Sequence, residues 1–271
     1  VGADSRHRLA VGIQVAGEGV HQGVLESMAH VLSRAGYHTG YIGKWHLGGV
    51  PRDRYIPREE RLGFEEWKVC NCNHSYMRSY YYDEDNVRTE ISGYEPIAQT
   101  DLAVDFIERN KADSWLLTLS YSPPHDPYHE LPQHYEDLYK DRDIKLRDNM
   151  CDKVKLTKDR YISREDMTNN IKGYYAHITA LDEQFGRLIT ALEQSGQLDD
   201  TIVVYTSDHG DMLGSQGSSN KQQPYEESIR VPLMVYWKGH TLRGVSGELI
   251  SLTDLPVSLL GLAGLSFSGQ T

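Results

Sequence analysis

Residues 173–206 carry, back to back, the two patterns that most restrict what this chain can fold into. Ile178, Leu181, Phe185, Leu188 and Leu192 recur at steps of three and four, which predicts an amphipathic helix over 173–195 closed by Gly196. Thr201-Ile202-Val203-Val204 follows as a short apolar, β-branched run, which predicts a buried strand over 201–206. The same alternation recurs along the chain. A helix over 24–35 (Val24, Met28, Val31 and Leu32 on one face) precedes a strand over 37–42. A helix over 100–110, with Thr100 as N-cap, precedes a strand over 115–121. A strand over 231–236 precedes a helix over 252–263 that has Pro256 near its start. Such alternation predicts an α/β fold: a mostly parallel sheet sandwiched by helices, with right-handed crossovers. No linker divides the chain, so residues 1–271 read as one domain.

Three regions carry no clear period. Residues 1–23 are short and Gly-rich. Residues 50–97 are aromatic and rich in Gly, Pro, Asp and Asn, which predicts long loops. Within them Asn73, His74 and Tyr76 are candidates for substrate contacts; the alternative is that they pack the loop. Residues 128–170 are polar and charged, and read either as a solvated excursion or as a substrate-facing insert. The 28 basic against 39 acidic residues leave a net charge of -11, which argues against a general nucleic-acid or membrane-surface binder. No apolar run approaches the ~18 residues of a membrane span. Cys70, Cys72 and Cys151 are an odd set without zinc-ribbon spacing and read as free thiols, leaving the compartment undetermined.

The chemistry gathers at strand ends. The strand over 37–42 runs into Gly43-Lys44-Trp45-His46, the strand over 115–121 into Ser122-Pro123-Pro124-His125-Asp126-Pro127, and the strand over 201–206 into Ser207-Asp208-His209-Gly210-Asp211. In a parallel sheet the carboxyl ends share one edge, so these residues can converge, and Lys221 on the following loop can join them. Each has an ordinary explanation alone: a surface lysine, a packed histidine, an Asx cap at Asp208. As a set they define an oxyanion site. Two lysines and a divalent metal would clamp sulfate or phosphate, and His46 and His125 would move protons near neutral pH. Asp208 and His209 supply oxygen and nitrogen donors suited to calcium, magnesium or manganese. Two ligands fall short of the roughly six to eight oxygens that calcium takes.

These segments resemble a known family. Gly36-Tyr37-His38-Thr39-Gly40-Tyr41-Ile42-Gly43-Lys44-Trp45-His46-Leu47-Gly48-Gly49 is similar to the second sulfatase signature. Thr206-Ser207-Asp208-His209-Gly210-Asp211, with Lys221 and the stretch 225–232, resembles that family's metal and sulfate-binding segment. Pro124-His125-Asp126-Pro127 resembles its histidine loop, and 254–264 its late helix. The resemblance runs in order from about residue 24 to 264. It implies an alkaline phosphatase-like fold and hydrolysis of sulfate esters by a formylglycine made in a Cys-x-Pro-Ser-Arg motif. It also implies roles: Asp208 and His209 on a metal, expected to be calcium; Lys44 and Lys221 on the sulfate oxygens; His125 at the leaving alcohol; His46 in sulfate release.

The departures carry equal weight. Ser5-Arg6-His7-Arg8-Leu9-Ala10-Val11-Gly12 lies on the family's Ser-Arg-x-x-Leu-x-x-Gly stretch, which places Arg6 as the arginine that supports the nucleophile. On that register the cysteine position is Gly2 and the proline position Asp4, and glycine cannot become formylglycine. The family's first strand, with its paired metal aspartates, is expected before Val1, and its small C-terminal sheet after Thr271. The sequence therefore reads as a sulfatase truncated at both ends, with little or no turnover of its own. A sulfated carbohydrate is the expected ligand, ahead of a small aryl sulfate, and a periplasmic or secreted location is the family expectation. Two other readings stay open: a phosphodiester or phosphonate hydrolase of the same superfamily, and a non-catalytic sulfated-glycan binder that keeps Lys44, His125 and Lys221.

Overall fold

The structure, a computed structural model, describes residues 8–12 and 26–268. Among these the elements run β1 (Arg8–Gly12), α1 (Met28–Arg34), β2 (His38–Lys44), β3 (Glu66–Cys70), β4 (Arg78–Tyr82), β5 (Arg88–Ser92), α2 (Glu95–Arg109) and β6 (Trp115–Ser120). They continue with α3 (Gln133–Asp137), β7 (Lys153–Thr157), β8 (Arg160–Ser163), α4 (Arg164–Gln194), β9 (Thr201–Thr206), α5 (Glu226–Ile229), β10 (Leu233–Tyr236) and α6 (Asp254–Leu262). One eight-stranded sheet has the order β10-β9-β1-β6-β2-β3-β4-β5. Its centre, β9-β1-β6-β2-β3, is parallel. Antiparallel strands finish both edges, β10 at one and β4-β5 at the other.

Side chains alternate across a strand, so each strand feeds two cores. Leu9, Leu116, Ile202 and Val204 pack on one face with Leu32 of α1 and Leu259 and Leu260 of α6. Ile42, Leu117 and Val203 pack on the other with Phe106 and Ile107 of α2 and Leu192 of α4. The architecture is thus the expected α/β sandwich. No helix among the described residues is long and apolar enough to cross a membrane.

Several local expectations fail for physical reasons. Arg8–Gly12 forms a strand in the middle of the sheet, between β9 and β6, in the patternless N-terminal region. Five residues are too few to show a period; pairing on both sides fixes them, and Arg8 donates to the carbonyls of Asp113 (3.0 Å) and Lys111 (2.6 Å). The 50–97 region is not irregular: it holds β3, β4 and β5. Its turn residues were the visible signal because Asp83 closes the β4–β5 hairpin, accepting from the amides of Asp85 (3.0 Å) and Val87 (2.8 Å). Thr100 is not an N-cap. It lies buried within α2, its hydroxyl donating to the Pro96 carbonyl at 2.7 Å.

The last strand and helix begin later than expected, at Leu233 and Asp254, and α1 starts at Met28, with Val24 outside the described residues. The long helix starts at Arg164, where Ser163 and Asp166 form a capping box that a polar first turn conceals. Ile178, counted in its apolar stripe, is 40% exposed. The 128–170 region is an ordered insert. Its β7–β8 hairpin packs Val154 on Met150, Met167, Ile171 and Leu213.

Gly173 sits inside α4, where alanine normally stabilises by up to ~1 kcal/mol. A Cβ there would lie 2.1 Å from the Tyr128 carbonyl oxygen. Close approach of the 128 loop therefore reverses the sign. Gly173→Ala is expected to destabilise by about 2 kcal/mol, read as a lower urea midpoint at unchanged slope. An equal or higher midpoint would show that the contact does not govern this position.

Candidate functional site

Lys44 ends β2, and the turn beyond it rests on an aromatic block. Tyr41, Trp45 and Trp67 are buried, with ring centres 5.0 Å (Tyr41–Trp45) and 4.9 Å (Trp45–Trp67) apart. The Tyr41 hydroxyl donates to the Lys44 carbonyl at 2.8 Å. The amides of Trp45 and His46 donate to the carbonyls of Cys70 (2.9 Å) and Asn71 (2.6 Å). Asn71 also accepts from the Gly48 amide at 3.1 Å and donates to the Gly49 carbonyl at 3.1 Å. Gly43 has φ 109°, and a Cβ on it would meet the Ser120 carbonyl oxygen at 2.0 Å, so only glycine lets β2 and β6 close up beside Lys44. The lysine is left only 3% exposed.

The loop after β6 supplies His125. Its Nδ1 lies 2.9 Å from the Asp126 carbonyl and 3.0 Å from Asp126 Oδ1, and its Nε2 contacts Lys221 Nζ. The loop after β3 packs against it. His74 stands edge-on to His125 at 4.7 Å, with Nδ1 3.2 Å from the Asp126 carbonyl and Nε2 3.4 Å from Cys72 Sγ. Tyr76 and Asn73, candidates for substrate contacts, serve the loops. Tyr76 is fully buried and its hydroxyl reaches the carbonyls of His125 (2.9 Å) and Asp126 (2.8 Å). Asn73 donates to the Ser75 carbonyl (2.9 Å) and the Ser79 hydroxyl (3.0 Å). His74, by contrast, is exposed.

Beyond β9, Asp208 Oδ1 accepts the His209 amide at 2.9 Å, and His209 Nδ1 lies 2.7 Å from the Gly210 carbonyl. Asp208 Oδ2 is buried, accepts no hydrogen bond from the described residues, and lies 3.3 Å from His209 Nε2. The ring of His209 is 6.2 Å from that of His125. Asp211 supports the turn: it accepts from the Tyr128 hydroxyl at 2.9 Å and the Leu213 amide at 3.0 Å.

Lys44, His46, His74, His125, Asp208, His209 and Lys221 therefore meet at one edge of the sheet, and their charges act on one another. Burial, and next Lys44, push the Lys221 ammonium below its usual range. Burial holds His46 down at about 4, with Lys44, Arg52 and Lys221 adding to it. Burial also raises the Asp208 carboxyl and lowers the His209 imidazole. Arg6, Gly2 and Asp4 lie outside the described residues.

Glu95 is a participant that sequence reasoning missed. Fully buried at the start of α2, it accepts from Ser122 Oγ and Gln99 Nε2, both at 2.7 Å. Burial raises its carboxyl, while hydrogen bonds from Ser79, Ser122 and Gln99, and last the charge of Lys44, oppose the rise. Pro96 beside it was the available signal of a helix start.

The residues present fit a divalent cation in part. Asp208 Oδ2 is an orphaned buried carboxylate oxygen, and a cation beside it would offset the burial that disfavours its charge. The strand Arg8–Gly12 adds no carboxylate. A separate apolar cavity of about 290 Å³ lies between α4 and the sheet, lined by Leu119, Phe185, Val203 and Tyr205, and excludes the charged residues.

The chain belongs to the sulfatase family, which it matches over residues 4–265. It is 38% identical over 245 residues to an ulvan-active sulfatase of Formosa agariphila, covering 88% of this chain and 46% of that protein. It is 28% identical over 272 residues to an endo-4-O-sulfatase of Bacteroides thetaiotaomicron, covering 90% of this chain and 51% of that protein. A solved structure of yidJ, a candidate sulfatase of Bacteroides fragilis, superposes with a TM-score of 0.83 at 30% identity, covering 92% of this chain and 57% of that one. The chain spans about half the length of the curated relatives it matches.

The floor of the site contains a pH-sensitive support. His177 of α4 is fully buried under Tyr76, with Nδ1 2.6 Å from the Tyr94 hydroxyl, and burial lowers it to about 4. The unfolded chain, with an ordinary histidine near 6.5, binds the proton more readily. This contribution to stability is therefore fully present above pH ~6.5 and falls as pH drops toward about 4, by on the order of 3 kcal/mol. Urea midpoints across that window should show this limb in the parent and lack it in His177→Gln. Parallel pH profiles would contradict it.

Proposed function

We propose that this site recognises the sulfate group of a sulfated carbohydrate, and that the family reaction it serves is sulfate-ester hydrolysis. One observation carries the reading: Lys44 is buried, its charge depresses that of Lys221, and neither lysine forms a direct ion pair with a carboxylate among the described residues, so a sulfate group would supply a counter-charge in direct contact. The names of the Formosa and Bacteroides relatives, an ulvan-active and an endo-4-O-sulfatase, support sulfated glycans as the ligand class.

In this reading Lys44 and Lys221 hold sulfate oxygens. His125, its Nδ1 toward Asp126 and its Nε2 toward Lys221, is oriented to protonate a departing sugar oxygen. His46, neutral near pH 7, accepts a proton during sulfate release. Asp208 and His209 would hold the metal, expected to be calcium, which when bound withdraws charge from the sulfate oxygens. His74, exposed at the rim, contacts the sugar. Arg6 supports the nucleophile position by resemblance. Because Gly2 supplies no nucleophile, this chain binds with little turnover, which also favours the second reading, a sulfated-glycan binder.

Calorimetry with a sulfated oligosaccharide and its desulfated form, alongside an aryl sulfate assay with calcium, tests this. Binding of the sulfated form alone is expected, weakened about 10- to 100-fold in Lys44→Ala or Lys221→Ala. Turnover should not exceed that of Lys44→Ala and Asp208→Ala. Equal binding of both sugars would refute sulfate recognition; turnover above those controls would refute the missing nucleophile.

A further inference from the structure

The loops after β3 and β6 bring together donors whose metal-binding capacity the sulfate reading leaves unused. His74, His125 and Asp126 each offer one donor atom, all within 4.8 Å of one another. Both imidazoles turn Nδ1 to the same residue. His125 Nδ1 is 3.0 Å from Asp126 Oδ1 and 2.9 Å from its carbonyl oxygen, and His74 Nδ1 is 3.2 Å from that carbonyl. Zinc bonds of ~2.1 Å in a tetrahedron require donor–donor edges of ~3.4 Å. The His125–Asp126 pair already stands near that spacing, and the remaining edges, all within 4.8 Å, must shorten for the cluster to close around an ion.

We propose that His74, His125 and Asp126 bind a zinc-type divalent ion, at a position separate from Asp208 and His209. The donor chemistry selects the ion: two imidazole nitrogens and one carboxylate suit zinc or cobalt over calcium. Outer contacts are in place. The Tyr76 hydroxyl meets the Asp126 carbonyl at 2.8 Å, and Cys72 Sγ stands 3.4 Å from His74 Nε2, the nitrogen left over when Nδ1 coordinates. His74 is exposed, which gives the ion a route in. Coordination at His125 Nδ1 leaves the single ring proton on Nε2, where it faces the Lys221 ammonium. The ion therefore loosens the Lys221–His125 contact and antagonises the anion site. The metal proposal itself stands whether or not the ligand there is sulfate.

The test is titration of the full chain with Zn²⁺ by calorimetry and with Co²⁺ by visible d–d absorption. One ion is expected to bind with tetrahedral-type absorption, and His74→Ala and Asp126→Asn should each raise Kd by at least about tenfold, while Asp208→Asn changes it less than about twofold. His74→Gln replaces His74→Ala if circular dichroism shows the alanine variant unfolded. Absence of Zn²⁺ binding by the parent chain overturns the proposal. So does unchanged affinity in the His74 and Asp126 variants, or loss of binding in Asp208→Asn.

Discussion

Two ammonium groups share one poorly solvated patch, and much of the surrounding architecture answers to that fact. Lys44 is almost fully buried and Lys221 is disfavoured both by burial and by Lys44. Left alone, such a pair would separate into water or lose a proton. Carboxyl groups from different elements oppose that: Asp208 after β9, Asp126 after β6, and Glu95 at the start of α2, all within electrostatic reach of one lysine or both. None forms a direct ion pair with either lysine among the described residues. The positive charge is therefore stabilised without being quenched, which is the condition for receiving an anion.

Holding charges this way demands rigid supports, and these lie one layer below. The Tyr41–Trp45–Trp67 block and Asn71 fix the turn after Lys44. Tyr76 clamps the backbone of His125 and Asp126, and Tyr94 and His177 form the floor beneath it. Loops at a sheet edge are the usual seat of chemistry because a packed scaffold can position them without constraining their sequence. The supporting polar groups are themselves buried, so loss of one leaves its partner unsatisfied and disturbs the edge as a whole.

That division explains what could be read from the sequence. β2, β6 and β9 announce themselves because they are apolar runs preceded by periodic helices, and a parallel sheet then obliges Lys44, His125 and Asp208 to share an edge. Lys221 joins from a loop, as the position after β9 allowed. The supports were legible only in part: Tyr76 stood out, with loop packing as the alternative to a substrate contact, whereas Asn71 and Glu95 act through contacts between loops that no local period encodes. β3 to β5 were hidden because Asp83, Asn86 and neighbouring turn residues dominated the composition of 50–97. β1 was hidden because its five residues owe their conformation to pairing with β6 and β9 rather than to their own pattern.

β1 also bears on what the site can do. It fills the slot between β9 and β6, with Gly12 opposite Tyr205, so its carboxyl end reaches the same edge as Asp208. Arg8–Gly12 itself contains no carboxylate, and the buried Asp208 Oδ2 accepts no hydrogen bond from the described residues. Binding an anion and hydrolysing its ester make different demands. The first needs preorganised cations, which the buried lysines supply. The second needs interactions that strengthen only in the transition state, beginning with a nucleophile. Ground-state recognition and bond cleavage thus rest on separable parts of the chain: the lysine edge is built by β2, β9 and their loops, whereas the nucleophile depends on the identity of a single residue.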